Sequence, residues 1–412
     1  MEQKSKRKGI SRRTFLKGGV GAGLAVAGFP YVARAQELKK IKIRAATILT
    51  SPSGVIEIYR LEQKLFEKYA RKEGYDLELE WRDFPHGAAQ VEAVLSGKLE
   101  ISWWADIVQG RLISQKQPVH PIIMIEGYQN FCINVRPDSP IRNVEDLRGK
   151  TVGTVLGTVF HGVIVNLLRS ELGTADLKKL GINLINIPSV AQLMTMPTGI
   201  DAASNNIIFT LKGELEGMSK PLVDAHGMTG NYYRGPAGEG AGHVLPGFKK
   251  APFYPEAYYP FRGYHFATKK LIDEHPKLIK AFIMATEEAV RNLKKMTKED
   301  ASQLVSKYWK LPPKEGGIVV GDVLPLIRGW SWITESDART IVEVSRFMAE
   351  TGALPKPIEM KQVKENFEVV TPIMKAAYEE MDAFPKPEAF TDASAKDRRG
   401  LPLWMADKWS LS

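Results

Sequence analysis

A strand, a glycine loop and a helix follow one another between Asp138 and Gly173, and this segment constrains the fold most. Residues 150–155 read as a short strand, and Leu156-Gly157-Thr158 follows as a loop. A helix is predicted from Val159 to Leu172, because apolar residues recur at three-to-four spacing and Gly173 stands at the capping position. Such a loop directs free backbone N–H groups and the positive end of the helix dipole at one point. The segment therefore predicts either a ligand-binding site or an ordinary strand-loop-helix unit of an α/β domain.

The same alternation opens the chain. A strand is predicted over 41–45, a helix from Val55 to Tyr69, and a strand over 75–81 with strict apolar and polar alternation. A β-α-β order implies a parallel sheet with right-handed crossovers. Thr50 and Ser51 lie in the loop after the first strand and are candidate ligand contacts.

Another strand is predicted over 99–104, and Ser102, Trp103, Trp104 and Ala105 occupy its carboxyl end. Ligands of open α/β sheets bind beyond the carboxyl ends of strands, so these four positions are candidate ligand contacts. Adjacent residues of a strand point to opposite faces, so at least one tryptophan is expected in the core.

The length of the chain predicts two domains. Strands predicted over 119–124 and 131–135 carry the chain from one domain to the other. The expected division is a discontinuous domain I (36–129 and 230–383), domain II (130–229) and a C-terminal tail (384–412). A segment rich in glycine, proline and tyrosine (227–264) is predicted to be an insertion that either covers the cleft or serves as a surface or subunit contact.

Several motifs resemble one family. They are Asp-Ser-Pro-Ile (138–141), Asp-Leu-Arg-Gly-Lys-Thr-Val (146–152), Gly-Thr-Val-Phe-His (157–161), Gly-Ile-Asp-Ala (199–202) and the closing segment 352–358. Their order is similar to that of the periplasmic solute-binding proteins of ABC importers of the nitrate, sulfonate and taurine type, a group related to thiamine-pyrimidine synthases. The resemblance implies an α/β, two-lobed periplasmic-binding-protein fold (type II) with a ligand cleft at the hinge.

The resemblance also implies ligand-binding residues in the second lobe. Gly157, Thr158, Val159 and His161 match the loop that opens the family's helix, and Asp201 matches the Gly-Ile-Asp-Ala turn. His161 is expected to act as a neutral donor, because the helix dipole opposes its protonation. Asn205 and Asn206 replace the aromatic segment of most relatives, and they could bind a polar ligand or cap a helix.

The first thirty-five residues are interpreted as an export signal. Residues 11–17 form a twin-arginine motif, an apolar run follows, and Ala33-Arg34-Ala35 is a cleavage site. This segment holds eight of the 57 Lys and Arg residues and one of the 47 acidic residues, so the remainder carries about +3. The mature protein is expected to be soluble, monomeric and periplasmic, with no nucleic-acid partner.

Enzyme chemistry finds little support in the sequence. The chain lacks a nucleotide-binding P-loop, a Gly-x-Ser-x-Gly elbow and a His-Glu-x-x-His pair, and Cys132 is its single cysteine. No catalytic residue, metal site or cofactor is therefore expected. Twin-arginine export often marks proteins that fold around a cofactor before transport, so a cofactor-bearing enzyme stays a minor alternative.

The sequence thus predicts the substrate-binding component of an ABC importer, which captures a small organic anion or aromatic solute and delivers it to a permease of the inner membrane. A sulfonate or taurine-like compound, an aromatic carboxylate and a thiamine-precursor-like compound all remain open. The alternative from another class is a ligand-binding sensor that reports to a membrane receptor.

Overall fold

A computed structural model describes residues 37–84, 86–126, 131–174, 176–223, 232–233, 243–252, 258–259, 261–326 and 331–381. The described residues from Leu38 onwards belong to one compact unit. The predicted export signal (1–35), most of the predicted insertion (227–264) and the predicted tail (384–412) lie outside the described residues. No described helix combines the length and the apolar character that crossing a lipid bilayer requires.

Strands and helices alternate through most of the described chain. The strands are β1 (Lys39–Thr47), β2 (Tyr75–Asp83), β3 (Ile101–Ala105), β4 (Val119–Glu126), β5 (Phe131–Val135), β6 (Thr151–Thr154), β7 (Asn183–Asn186), β8 (Ala202–Asn206), β9 (Lys220–Val223), β10 (Tyr232–Tyr233), β11 (His243–Val244) and β12 (Gly263–Thr268). The helices are α1 (Gly54–Glu62), α2 (Leu65–Lys72), α3 (Gly87–Leu95), α4 (Asp106–Ser114), α5 (Val159–Leu172), α6 (Val190–Met194), α7 (Ile207–Leu215), α8 (Lys269–Glu274), α9 (Pro276–Leu293), α10 (Lys298–Trp309), α11 (Pro313–Leu326), α12 (Glu335–Glu350), α13 (Met360–Glu368) and α14 (Thr371–Glu380).

Two five-stranded sheets organise these elements. The first sheet has the order β2-β1-β3-β12-β4, and the second has the order β7-β6-β8-β5-β9. In each sheet one strand runs antiparallel to its two neighbours: β12 lies between β3 and β4, and β5 lies between β8 and β9. We call the first sheet with its helices lobe I, and the second sheet with α5, α6 and α7 lobe II. The strands of lobe I come from two parts of the sequence. Strands β1 to β4 precede the strands of lobe II, and β12 follows β9, the last strand of lobe II.

Local sequence accounts for most of the element boundaries. Helix α5 has the predicted bounds and ends at Gly173, which adopts the left-handed conformation at φ 77° that its missing Cβ permits. The helix predicted from Val55 to Tyr69 is instead two helices, because Lys64 adopts a left-handed φ of 47° between them. Thr334 and Asp337 form a capping box at the start of α12, as the Thr-x-x-Asp spacing predicts.

The core of lobe I contains charged groups as well as apolar ones. Glu57 of α1 accepts from Arg60 and lies 2.7 Å from Nε2 of His265 on β12, and all three side chains are at most 1% exposed. The guanidinium of Arg60 also donates to Thr286 at 2.8 Å and lies 3.9 Å from the ring centre of Phe282. Burial raises the pKa of Glu57, but the charge of Arg60 and the contact with His265 outweigh it, so the pKa lies below its ordinary value. Each buried charge of this network depends on its partners, because removing one partner would leave an uncompensated charge in the core of lobe I.

Candidate functional site

The carboxyl ends of strands from both sheets meet at one cavity of about 70 Å³. Residues at or just after the carboxyl ends of β1, β2, β3, β6, β7 and β8 line it, as do residues at the starts of β5 and β12, because these two strands run the opposite way. We call this space the inner cavity. Its lining residues are Ile48, Thr50, Ser51, His86, Gly87, Trp103, Trp104, Ala105, Ile107, Val108, Phe131, Thr158, Val159, Phe160, Val190, Asn206, Phe209 and Phe261.

Two tryptophans form part of the wall that lobe I contributes. Trp104 stacks on Phe266 with ring centres 4.5 Å apart, and its indole N–H donates to Oε1 of Gln109 at 3.2 Å. Trp103 is 5% exposed, and no described residue accepts from its indole N–H. The two neighbours therefore share the lining of the cavity but differ in whether the indole N–H has a protein partner.

The start of helix α5 forms part of the wall that lobe II contributes. Thr158 is the N-cap residue, but its hydroxyl donates to the carbonyl of Val155 at 2.6 Å rather than capping the helix. Within the described residues, the backbone N–H groups of Val159 and Phe160 find no acceptor. These two donors and the helix dipole favour a ligand atom that accepts hydrogen bonds.

The inner cavity contains no Asp, Glu, Lys or Arg among its described lining residues. Helices α3, α4, α5 and α7 all begin at its wall. His86 and Asn206 cap α3 and α7, and Asp106 accepts from the backbone N–H of Ile107 at the start of α4, whereas α5 has no side-chain cap and can direct its N-terminal partial charge at a ligand.

Aromatic rings form much of the remaining wall of the inner cavity. Phe131 packs edge-on against Phe160 and Phe261, with 4.7 and 5.5 Å between the ring centres. Such a site can hold a group that is apolar or that carries hydrogen-bond acceptors.

A second, larger space of about 340 Å³ lies beside the first and shares His86, Val108 and Thr158 with it. We call it the outer cavity. It is lined by His86, Val91, Glu92, Val108, Arg111, Leu112, Gln115, Val155, Leu156, Gly157, Thr158, Asn186 and Pro188. Gly157 adopts a φ of +72° there, and a Cβ on it would lie 3.4 Å from Nη2 of Arg111 on α4. An arginine of lobe I therefore lies against a loop of lobe II.

The two lobes contact each other around these cavities. The side-chain amide of Asn206 in lobe II donates to the carbonyl of Thr50 in lobe I at 2.9 Å, and Arg169 of α5 pairs with Glu350 of α12 at 2.9 Å. Tyr259 packs between the lobes, because its ring fills the space above Gly162 of α5 and lies 6.1 Å from that of Phe347 on α12.

Comparison with known proteins places the chain in a family. The family model described as "NMT1/THI5 like" matches residues 68–299, which is more than half of the chain. The chain belongs to the NMT1/THI5 like family. The family resemblance predicted from the sequence motifs is thereby confirmed. No curated protein matches the chain by sequence.

Solved structures share the fold of this NMT1/THI5 like protein at low sequence identity. The alkanesulfonate-binding protein SsuA from Xanthomonas axonopodis pv. citri, bound to MOPS, has a TM-score of 0.58 at 16% identity and covers 79% of this chain and 98% of its own. The nitrate-binding protein NrtA from Synechocystis PCC 6803 has a TM-score of 0.57 at 15% identity, with 84% and 91% covered. The desulfurization enzyme DSZB has a TM-score of 0.52 at 11% identity, with 82% and 99% covered. The predicted two-lobed periplasmic-binding-protein fold is confirmed.

Most of the candidate ligand residues line one of the cavities. Thr50, Ser51, Trp103, Trp104, Thr158 and Val159 line the inner cavity, and Gly157 lines the outer one.

His161 lies next to the cavities without lining either of them. Its ring packs edge-on against Phe347 at 5.9 Å, and its Nδ1 is 3.5 Å from the backbone N–H of Gly157. Burial lowers the pKa of His161, so the neutral form is favoured, as the sequence predicts, although burial is the cause here.

Ser102, Asp201 and Asn205 lie away from both linings. Ser102 is fully buried within the first sheet. Asp201 lies before β8, at the opposite end of that strand from the cavities, where its carboxylate accepts from the backbone N–H of Thr151 at 2.8 Å. Asn205 is fully buried, and its Oδ1 lies 3.1 Å from the backbone N–H of Asn206. Asn206 caps α7 by accepting from Phe209 and lines the inner cavity as well.

Several lining residues could not be predicted from the sequence. Phe131 is the first residue of β5 and Phe261 lies just before β12, the two antiparallel strands, and Arg111 lies on a helix that the motifs do not predict. Ala105, a candidate at the end of its strand, does line the inner cavity, and applying the strand-end rule to the first turn of the following helix would also have found Ile107 and Val108. Within the described part of the chain, no group of three or more His, Cys, Asp and Glu side chains could hold a metal ion.

Proposed function

We propose that this protein is the periplasmic substrate-binding component of an ABC importer, which captures a small organic anion or aromatic solute and delivers it to a permease of the inner membrane. The observation that carries the proposal is the inner cavity, whose wall combines loops from the carboxyl ends of both sheets. A solute held there contacts both lobes at once, so its binding energy favours the state in which the lobes are together.

Two contacts between the lobes support the proposal that the lobes close around the solute. The hydrogen bond from Asn206 to Thr50 and the ion pair between Arg169 and Glu350 require the lobes to be together. Separation of the lobes breaks both contacts and opens the cavities to solvent. The permease then distinguishes the liganded protein by the relative position of the lobes.

The chemistry of the lining favours a solute with an apolar part and hydrogen-bond acceptors. Phenylalanine and tryptophan rings offer contact area, while the free N–H groups at the start of α5 and the indole N–H of Trp103 offer donors. We propose Thr50, Ser51, Trp103, Trp104, Thr158 and Val159 as ligand contacts.

The location of the protein follows from the first thirty-five residues. The twin-arginine motif at 11–17 would direct export, and cleavage after Ala35 would release a soluble, monomeric protein into the periplasm.

A thermal-unfolding screen tests the proposal. Alkanesulfonates, nitrate, aromatic carboxylates and thiamine precursors are added to the purified mature protein, and a true ligand at a hundredfold over its Kd should add about 2.7 kcal/mol to the free energy of unfolding. The radius of gyration from X-ray scattering should fall on binding if the lobes are apart without ligand. The control is Thr158→Arg, which places a long side chain where the two cavities meet and should abolish the shift. No shift with any of these compounds would contradict the proposal.

A further inference from the structure

Charge is distributed unequally between the two cavities. The inner cavity has no charged side chain in its described lining, whereas the outer cavity has Arg111 on one side and Glu92 on another. We propose that Arg111 binds the carboxylate or sulfonate group of an organic anion whose uncharged part occupies the inner cavity. This inference rests on the proposed function and names the class of solute.

The position of Arg111 is the first support. Its backbone belongs to α4 of lobe I, yet its guanidinium Nη2 lies 3.4 Å from the Cβ position of Gly157 in the loop before α5 of lobe II. A Cβ at that distance would make an ordinary van der Waals contact, so glycine is required there by its positive φ and not by the guanidinium. Arg111 is exposed, and its guanidinium lies at the boundary between the lobes, where it can contact a ligand that lies between them.

The bonding state of Arg111 is the second support. Among the described residues, no carboxylate forms an ion pair with its guanidinium, and Glu92, which lines the same cavity, is not paired with it; both side chains are exposed. The planar fork of an arginine matches the oxygen atoms of a carboxylate or a sulfonate.

The sizes of the two cavities give the orientation of the ligand. The inner cavity, at about 70 Å³, is smaller than the ~150 Å³ space that holds a benzene molecule, so it takes a compact apolar group such as a short alkyl chain. The outer cavity, at about 340 Å³, has room for the charged end. A bare inorganic anion such as nitrate would leave the apolar inner wall unused.

Matched probes separate charge from shape. Pentanoate is compared with pentanamide, and butane-1-sulfonate with butane-1-sulfonamide, by calorimetry on the wild-type protein, on Arg111→Gln and on Arg111→Lys. Lys295→Gln is the control variant, because it removes one exposed positive charge from the end of α9 in lobe I. Arg111→Gln should weaken the binding of the preferred anion about tenfold to a hundredfold and leave the amides unchanged. Arg111→Lys should keep part of the affinity, and Lys295→Gln should behave like the wild type.

The outcomes distinguish this inference from the proposed function. If Arg111→Gln binds the anions as tightly as the wild type, or if the wild type binds the amides or nitrate as tightly as the anions, the role of Arg111 is wrong, while solute binding itself stands. If the wild-type protein binds none of these probes but another compound of the thermal-unfolding screen gives a shift, the solute class inferred here is wrong and the importer role stands; no binding in either experiment would contradict both. Comparing pentanoate with butane-1-sulfonate shows which anionic group the site prefers.

Discussion

Asn206 and Thr50 join the two lobes through one hydrogen bond of 2.9 Å, in which the amide of Asn206 donates to the backbone carbonyl of Thr50. The same asparagine caps helix α7, because its Oδ1 accepts from the backbone N–H of Phe209 at 3.1 Å. One side chain thus starts a helix of lobe II and holds that helix to lobe I.

Asn206→Asp separates these two roles. Aspartate keeps the oxygen that caps α7, but it lacks the N–H group that reaches Thr50 and brings a negative charge towards a carbonyl oxygen. We expect a thermal midpoint close to that of the wild type and an equilibrium between separated and joined lobes that shifts about fivefold, the equivalent of one ordinary hydrogen bond. X-ray scattering of the unliganded protein measures the shift as a larger radius of gyration. A smaller radius, or a large loss of thermal stability, would contradict it.

Gly162→Ala tests how tightly the segment around Tyr259 packs against lobe II. An added Cβ would lie 2.3 Å from a ring carbon of Tyr259, which is fully buried. We expect the free energy of unfolding to fall by about 1 to 3 kcal/mol, the usual effect of overpacking a core. The matched control is Gly110→Ala in α4, where the nearest atom to the new Cβ is at 3.5 Å and where alanine favours the helix. Equal stabilities of the two variants in urea unfolding would disprove the packing argument.

The sequence predicted helix α5 well and the break at Lys64 poorly, and the reason is physical. Apolar spacing and a capping glycine are local, so the bounds from Val159 to Leu172 follow from the residues themselves. A left-handed lysine has no such local sign, because glycine is the residue that this conformation favours.

Prediction of the candidate site was limited in the same way, because local sequence does not show how distant segments are arranged. Trp103, Trp104 and Thr158 could be predicted, since they stand at or after the carboxyl ends of strands that the alternation makes parallel. Phe131 and Phe261 could not, because they stand at the starts of β5 and β12, and the sequence does not reveal that these two strands run the opposite way. The ligand-binding role of His161 stays a prediction, since the residue packs against Phe347 beside the cavities.

Glu57→Gln tests the buried charges behind the first sheet. The substitution leaves Arg60 without its negative partner at a position that is 1% exposed. Breaking a buried ion pair in this way costs about 3 to 5 kcal/mol, so we expect a large fall in the free energy of unfolding by urea. Glu78→Gln is the control, because it removes one partner of the exposed pair with Lys42 and should leave the unfolding midpoint unchanged. Similar midpoints for the two variants would show that Arg60 does not depend on Glu57.

Acid should destabilise the protein through its buried histidines, and His161 allows the effect to be isolated. Burial lowers the pKa of His161 in the folded state, whereas the unfolded chain has the ordinary value of about 6.5. Below that pH the unfolded state therefore binds more protons than the folded state, and stability falls as the pH falls.

His161→Asn removes this one contribution, while His120 and His265, whose pKa values burial also lowers, stay in place. We expect the free energy of unfolding to fall less between pH 7 and pH 5.5 in the variant than in the wild type. Urea unfolding at several pH values measures both slopes. Parallel curves would mean that the folded protein takes up a proton at His161 as readily as the unfolded chain does, and that its imidazole is therefore less shielded from water than its packing between the Gly157 loop and Phe347 implies.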